Sequence, residues 1–269
     1  MNQERFFKDH RLPFAEGRYS QNSRRSFKPH IHLSFGIGAV DQGNVFYQVE
    51  GGSVHLKPGA LTLINPETLH SCNPQTTDAR SYYMLYLQTD WCLKVQRSLW
   101  HTDTFRPVDT VLLQDESYYR LFVDTMGCLL GDTLLMEKEQ ALVRLVESVF
   151  KSCCHSGPAA ADVPRHIEHL KAQLNDHLEE DLTLEQMASE LGANPSYTLL
   201  RQFKNATGIT PHAYRMNCRI DLARTILQRG EDIGDTALIC GFFDQSHFHR
   251  AFKAMTTVTP REYQLNFLQ

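Results

Sequence analysis

Apolar residues recur at helical spacing through the last third of the chain and at strand spacing through much of the first. From Leu184 onward, Leu184, Met187, Ala188 and Leu191 fall at i, i+3, i+4 and i+7, one face of a short helix. Thr183 and Gln186 make a capping box at its start, and Gly192 supplies a turn. Asn194 and Pro195 suit the cap and first position of a second helix, whose Leu199, Phe203 and Ala206 are expected to bury against the first. The pattern then returns 49 residues later. Ala188 and Gly192 match Ala237 and Gly241, Arg201 matches Arg250, and Phe203-Lys204 matches Phe252-Lys253. Thr210-Pro211 and Tyr214 match Thr259-Pro260 and Tyr263. In the second copy Ile233, Thr236, Ala237 and Cys240 form the apolar face, Asp232 the cap, and Phe248 and Phe252 the buried side of the next helix. A tandem pair of helix-turn-helix units is predicted, joined by a helix from Pro211 to Arg229 that Thr210 caps and Gly230 ends. At ~1.5 Å per residue that helix spans about 28 Å, close to the ~34 Å of one DNA turn.

The outward faces of the two second helices carry the candidate chemistry. In copy one these are Ser196, Tyr197, Leu200, Arg201 and Lys204; in copy two Gln245, Ser246, His249, Arg250 and Lys253. Arginine takes guanine bidentately, lysine neutralises phosphate, and the remaining side chains hydrogen-bond or pack on base edges. Two ordinary solvated faces are the plain alternative, and repetition in register argues against it.

Between Ile31 and Leu87 the period is two. Leu33, Phe35, Ile37 and Ala39 alternate, as do Val45, Tyr47 and Val49, and Tyr83, Leu85 and Leu87. Turn signals at Asp41-Gln42-Gly43-Asn44, Gly51-Gly52 and Lys57-Pro58-Gly59 separate the runs, so an antiparallel barrel or jelly roll is expected. Residues 1 to 26 lack clean periodicity and read as an arm. Trp91 to Trp100, Glu116 to Leu130 and Glu137 to Cys153 read as helices, with Arg106 to Leu113 returning as a strand. The stripe Leu142, Leu145, Val146 and Val149 either packs under the barrel or forms a dimer seam. His155 to Pro164 reads as a linker, and Arg165 to Leu178 as a helix burying Ile167, Leu170, Leu174 and Leu178.

The 269 residues suit two domains: 1–154, then a linker 155–164, then 165–269. The fold class expected is α+β multidomain, a barrel or jelly roll with helices followed by an all-α double helix-turn-helix. No apolar run is long enough to span a membrane and no signal peptide is evident, which implies a cytoplasmic chain. Seven cysteines without a C-x-x-C pair imply reduced thiols, with a redox switch at Cys153-Cys154 the lesser reading. Charge is less simple. From Arg165 onward 11 Lys+Arg face 13 Asp+Glu, yet Ser196 to Arg229 holds six basic residues and only Asp221 as an acid. A local basic footprint and moderate nonspecific DNA affinity are therefore expected.

The runs LEQMASELGANPSYTLLRQFKNATGITPHAYR and CGFFDQSHFHRAFKAMTTVTPREY resemble the AraC family of bacterial transcription regulators. One departure stands out: the family has Gly where this chain has Thr257, and copy one keeps it as Gly208. A β-branched residue held at positive φ costs about 1–2 kcal/mol. Strain there would leave the second recognition helix less firmly set. His30-Ile31-His32, LKPGALTLINPETLH and RSYYMLYL resemble the family's cupin-like effector-binding domain. The resemblance implies a small-molecule effector within the barrel, a homodimer, contact with double-stranded DNA and RNA polymerase, and more often activation than repression.

His30, His32 and His70 are the candidate effector contacts. His30 and His32 share a strand face and His70 can join them from a neighbouring strand. Metal cupins usually supply a Glu shortly after the H-x-H pair, whereas Leu33 to Gly38 has no carboxylate, and Thr68 replaces a glycine of the second motif. Polar lining is thus preferred to metal ligation, and neither cofactor nor metal is expected. No Ser/His/Asp arrangement or phosphate-cradling glycine loop is present, so no catalytic residue is assigned. The alternatives are a metal-dependent cupin enzyme with a DNA-binding tail, and a regulator controlled by a protein partner.

Overall fold

The structure, a computed structural model, describes residues 3–49, 52–74, 79–154, 164–176, 178–179, 183–190 and 196–267, without the side chains of Gln3, Leu184, Glu190, Ser196 and Tyr197. Contacts divide the chain into two compact units. One comprises Met1–Ser26, His32–Glu67 and Cys72–Ala160; the other comprises Phe27–Ile31, Thr68–Ser71 and Ala161–Gln269.

The strands are β1 (Gln3–Phe7), β2 (Ala15–Ser23), β3 (Phe35–Gln42), β4 (Val45–Val49), β5 (Gly52–Leu56), β6 (Leu61–Ile64), β7 (His70–Pro74), β8 (Arg80–Leu87) and the short β9 (Leu112–Leu113). One sheet runs β1-β2-β8-β3-β6-β9 and a second β5-β4-β7. The pairings of β1 with β2, β2 and β3 with β8, β3 with β6, and β4 with β5 are all antiparallel. The alternation seen in sequence has a direct spatial meaning. Phe35, Ile37 and Ala39 of β3, with Leu85 and Leu87 of β8, face a core completed by helices. The opposite face presents Val40, Ile64 and Met84 to Val45, Tyr47, Val49 and Leu56.

Three helices cover the first face: α1 (Thr89–Trp100), α2 (Glu116–Leu130) and α3 (Leu135–Cys153). Asp115 caps α2 by accepting from the Ser117 amide, and the apolar period then carries Phe122, Met126 and Leu129 into the core. Leu142, Leu145, Val146, Val149 and Phe150 of α3 join them, each fully buried. Each such side chain contributes about 1.5–3 kcal/mol by leaving water. That stripe therefore packs within its own unit, and a dimer seam cannot be built on it.

Two further expectations fail in this unit. Residues 3–23 are not an arm: β1 pairs with β2, which pairs with β8. Their periodicity was masked because the buried positions include Glu16, Arg18, Ser20 and Ser23. Arg106 to Leu113 forms only the two-residue β9, and Asn65 holds the preceding loop by exchanging hydrogen bonds with the Val108 backbone at 2.9 and 2.8 Å.

The second unit's helices are α4 (Arg165–Asp176), α5 (Leu184–Glu190), α6 (Ser196–Thr207), α7 (Pro211–Leu227), α8 (Ile233–Ile239), α9 (Gln245–Thr256) and α10 (Pro260–Leu265). The capping box of α5 is present, with the Thr183 amide donating to Gln186 Oε1 at 2.8 Å and the Gln186 amide to Thr183 Oγ1 at 3.2 Å. The turn at Gly192, Asn194 and Pro195 and the linker 155–163 lie outside the described residues. The buried row of α6 is Leu199, Phe203 and Thr207 rather than Leu199, Phe203 and Ala206, which is exposed. Thr207 can be buried because its hydroxyl donates to Phe203 O (2.8 Å) and Ile209 O (3.0 Å).

The repeat persists at atomic level. Thr256 makes the same pair of contacts, to Phe252 O and Val258 O at 2.8 and 3.0 Å. Phe203 meets Tyr214 edge-on at 5.6 Å, and Phe252 meets Tyr263 at 5.4 Å. Thr210 and Thr259 cap the following helices through Ala213 and Glu262 amides. Thr257 stands in the left-handed region at φ 66°, where its counterpart Gly208 has φ 76°.

Gly241 is the tightest point in this unit. Its φ is +75°, and a Cβ there would lie 2.2 Å from Leu178 O and 2.8 Å from Arg219 Nη2. Gly127, inside α2, would meet nothing within 4 Å. Gly241→Ala should lower stability by at least about 2 kcal/mol, since a backbone oxygen cannot move aside as a side chain can. Gly127→Ala should raise it by about 0.5–1 kcal/mol. Urea denaturation of the two variants checks both signs.

Candidate nucleic-acid interface and effector site

The second helix of each copy presents a polar face by the same device. Burial of Leu199 and Phe203 in α6, and of Phe248 and Phe252 in α9, turns the remaining positions outward. Arg201 and Lys204 are exposed and Leu200 half-buried on α6; the side chains of Ser196 and Tyr197 are not described. On α9, Gln245, Ser246, His249, Arg250 and Lys253 are all exposed. Asp244 caps α9 by accepting from the His247 amide at 2.6 Å. An acid at a helix start is favoured there by the macrodipole, and it places one negative charge beside this face.

The basic footprint is smaller than the sequence implied. Arg215 and Arg219 are buried, 7% and 9% exposed. Arg219 donates from Nε and Nη2 to Leu178 O at 2.9 and 2.6 Å, and Arg215 from Nη2 to the same oxygen at 3.2 Å. Arg224 is half-buried and pairs with Asp221 at 3.3 Å. Of the six basic residues between Ser196 and Arg229, Arg201, Lys204 and Arg229 remain exposed.

His30 and His70 face each other across an isolated antiparallel bridge, each amide donating to the other's carbonyl at 3.0 Å. Their rings lie 4.6 Å apart. His30 Nδ1 is 2.7 Å from Lys28 O and His70 Nδ1 is 2.9 Å from Thr68 O. A carbonyl only accepts, so each Nδ1 carries the proton and each neutral ring keeps its lone pair on Nε2. His32 follows two residues on, edge-on to Tyr86 at 4.8 Å. Of the three predicted effector residues, His30 and His70 thus pair within one compact unit, whereas His32 belongs to the other.

Burial pushes His30 below the ordinary histidine range, helped by the Arg224 guanidinium, and takes His70 down to about 3, helped by His30. Both rings are therefore neutral at pH 7.

The same two segments touch the helical repeats. The Ile31 amide donates to Asn217 Oδ1 of α7 at 3.2 Å. Leu69 covers the end of α6, where a Cβ on Gly208 would lie 3.2 Å from Leu69 Cδ2. Residues 31 and 69 thus each adjoin a histidine of the bridge.

A polar group between the sheets escaped the sequence reading. Arg18 Nε donates to Glu4 Oε2 at 2.9 Å, and Ser20 to Glu4 Oε1 at 2.8 Å. Fully buried Arg80 donates to Arg25 O and Cys72 O at 2.8 and 2.9 Å, and its guanidinium lies 5.0 Å from the Tyr82 ring. Arg18 and Ser20, like Arg80, Tyr82, Met84 and Tyr86, alternate at period two. That signal was present but ran through polar residues. All seven cysteines are free, and burial pushes the Cys154 thiol up to about 12, which does not suit a reactive switch.

A double-sheet domain followed by two helix-turn-helix units defines a two-domain DNA-binding regulator. Residues 14–148 match the family described as the AraC-like ligand binding domain, and residues 187–266 a helix-turn-helix domain. The chain belongs to the AraC family of transcription regulators. It is 27% identical over 232 residues to the HTH-type transcriptional regulator YbfI of Bacillus subtilis, covering 83% of this chain and 82% of that one. It is 32% identical over 126 residues to the transcriptional activator RhaS of Citrobacter koseri, covering 46% of this chain and 44% of that one. The fold resembles that of unsaturated fatty acid bound ToxT from Vibrio cholerae, with TM-score 0.64 and 15% identity over 98% of this chain and 94% of that one. Among the described residues no helix is long and apolar enough to cross a membrane.

The neutral histidines set a pH dependence. An unfolded chain binds a proton at each ring near the ordinary value of 6.5, whereas folded His70 resists until about 3. The unfolded state thus holds more protons within that window, and stability falls as pH drops below about 6.5. The loss of melting temperature between about pH 7 and pH 5 should be smaller in His70→Gln than in the wild type, as measured by differential scanning calorimetry.

Proposed function

We propose that the chain reads DNA with the outward faces of α6 and α9, and that a ligand contacting His30, His32 and His70 modulates that reading. The observation that carries this is the grouping of Phe27–Ile31 and Thr68–Ser71 with the helical repeats in one compact unit. A ligand that shifts His30 or His70 must shift Ile31 and Leu69, which touch α7 and the end of α6. The proposed DNA contacts are Ser196, Tyr197, Leu200, Arg201 and Lys204 in copy one, with Gln245, Ser246, His249, Arg250 and Lys253 in copy two.

We read the protein as a cytoplasmic activator and not an enzyme. Its relatives include proteins named as transcriptional activators, and RNA polymerase is the partner proposed for this chain besides DNA. A homodimer is the proposed working form, since two tethered half-sites raise affinity without new contacts. The division proposed is 1–154 for effector binding and dimerisation and 165–269 for DNA binding, joined by 155–164.

Selection of bound sequences from random DNA tests the reading directly. Arg201→Ala and Arg250→Ala should each cost about 1–3 kcal/mol and relax base preference at separate positions. Lys204→Ala and Lys253→Ala should weaken all sequences alike and reduce the salt slope by about 1 each. Enrichment of no sequence by the wild-type chain would sink the assignment of both faces.

A further inference from the structure

We propose that Phe243 is a base-reading residue of the second helix-turn-helix, taking the 5-methyl group of a thymine in the major groove. The proposal rests on the reading that the outward face of α9 meets DNA. Phe243 lies outside the polar set assigned to that face, and it brings a different chemistry to it.

At 90% exposure Phe243 is the most open large apolar side chain among the described residues. Exposure alone says little, since single apolar residues are common on protein surfaces. Position gives it meaning. Gly241 turns the chain at φ +75°, and Phe242 then enters the core to meet Phe248 at 5.1 Å and His247 at 5.4 Å. Those contacts already provide the apolar pin that fixes a chain's entry into a helix. Asp244 follows in extended backbone, φ −153° and ψ 168°, and caps α9. Phe243 is left outside, directly before the cap and three residues ahead of Ser246. A recognition helix meets base edges with its N-terminal residues, and Phe243 stands at that end.

The chemistry of the ring selects the partner. A phenyl group neither donates nor accepts a conventional hydrogen bond, so it cannot serve phosphate, which calls for cations or N–H donors. Against the polar edges of guanine, adenine or cytosine it would displace water and replace no hydrogen bond. The 5-methyl of thymine is the one apolar group that the four bases show in the major groove. The position 49 residues earlier in the repeat holds Asn194, whose amide both donates and accepts. The two copies therefore differ in kind at this point, one polar and one apolar.

The test uses the full chain and the sequence that it enriches from random DNA. Each thymine of that sequence is replaced singly by deoxyuridine, which lacks only the methyl group. One replacement, beside the position relaxed by Arg250→Ala, should weaken wild-type binding by about 3–5-fold. Phe243→Ser should bind the thymine and uracil forms equally, and Phe243→Leu, still apolar, should keep the preference. Ile239→Ser, at an exposed apolar residue of α8, should leave the preference intact. The deoxyuridine series on the wild type needs no variant to fold. No methyl-sensitive thymine in that element, or an equal response from wild type and Phe243→Ser, overturns the contact. Base preference that still depends on Arg201 and Arg250 then keeps the reading of the two faces. Loss of transcription with RNA polymerase in Phe243→Ser, at unchanged DNA affinity and methyl response, assigns the ring to a protein partner and likewise overturns the contact. A wild-type chain that enriches no sequence overturns both the faces and the contact.

Discussion

A single carbonyl oxygen, that of Leu178, organises the DNA-binding half. Two buried guanidinium groups, Arg215 and Arg219, are turned inward from α7 to reach it, and Gly241 has no side chain that would block them. Arg219 also lies 5.8 Å from the Phe242 ring. Removing the acceptor would strand buried positive charge, a loss of about 3–5 kcal/mol when an ion loses its compensation. The chain entering the first copy, the connecting helix and the turn of the second copy are thereby fixed to one point. Charge that an electrostatic view would assign to DNA is spent on architecture.

The two copies are alike in their scaffolding and unlike in their outward chemistry. Thr207 and Thr256 close the ends of α6 and α9 with the same two hydrogen bonds, and each copy sets a phenylalanine against a tyrosine from the following helix. After that point they diverge. Copy one turns through Gly208, which needs no steric concession. Copy two holds Thr257 at φ 66°, a conformation that costs a β-branched residue about 1–2 kcal/mol. The strain predicted from sequence is present, and the buried surroundings of Thr257 sustain it. A helix strained at its last turn holds its outward face, with His249 and Arg250, less firmly than α6 holds Arg201.

Legibility in sequence followed the contrast between apolar and polar positions. Where that contrast was clean, as in Glu116 to Leu130 or Val45 to Val49, the element was placed to the residue. It failed where buried positions are polar. Strands β1 and β2 were unreadable because Arg18, Ser20 and Ser23 occupy inward positions that only their hydrogen bonds make tolerable. Arg215 and Arg219 misled in the opposite direction, since a basic residue on a helix is ordinarily outside. The α3 stripe was correctly seen as apolar, but periodicity cannot say whether the surface it meets belongs to the same chain. His30, His32 and His70 were singled out from strand spacing. The pairing of His30 with His70 depended on a bridge between residues 40 apart, and nothing local encodes that.

The bridge is one residue pair long, and that brevity has a kinetic meaning. Its two backbone hydrogen bonds contribute about 0.5–1.5 kcal/mol each, and the Glu67 amide adds one more to His32 O at 2.7 Å. A contact of that size can open locally at a cost below the free energy of global unfolding. The paired backbones can then part and rejoin many times during the life of the fold. Regulation need not then create a new conformation; it has only to change how long an existing one lasts.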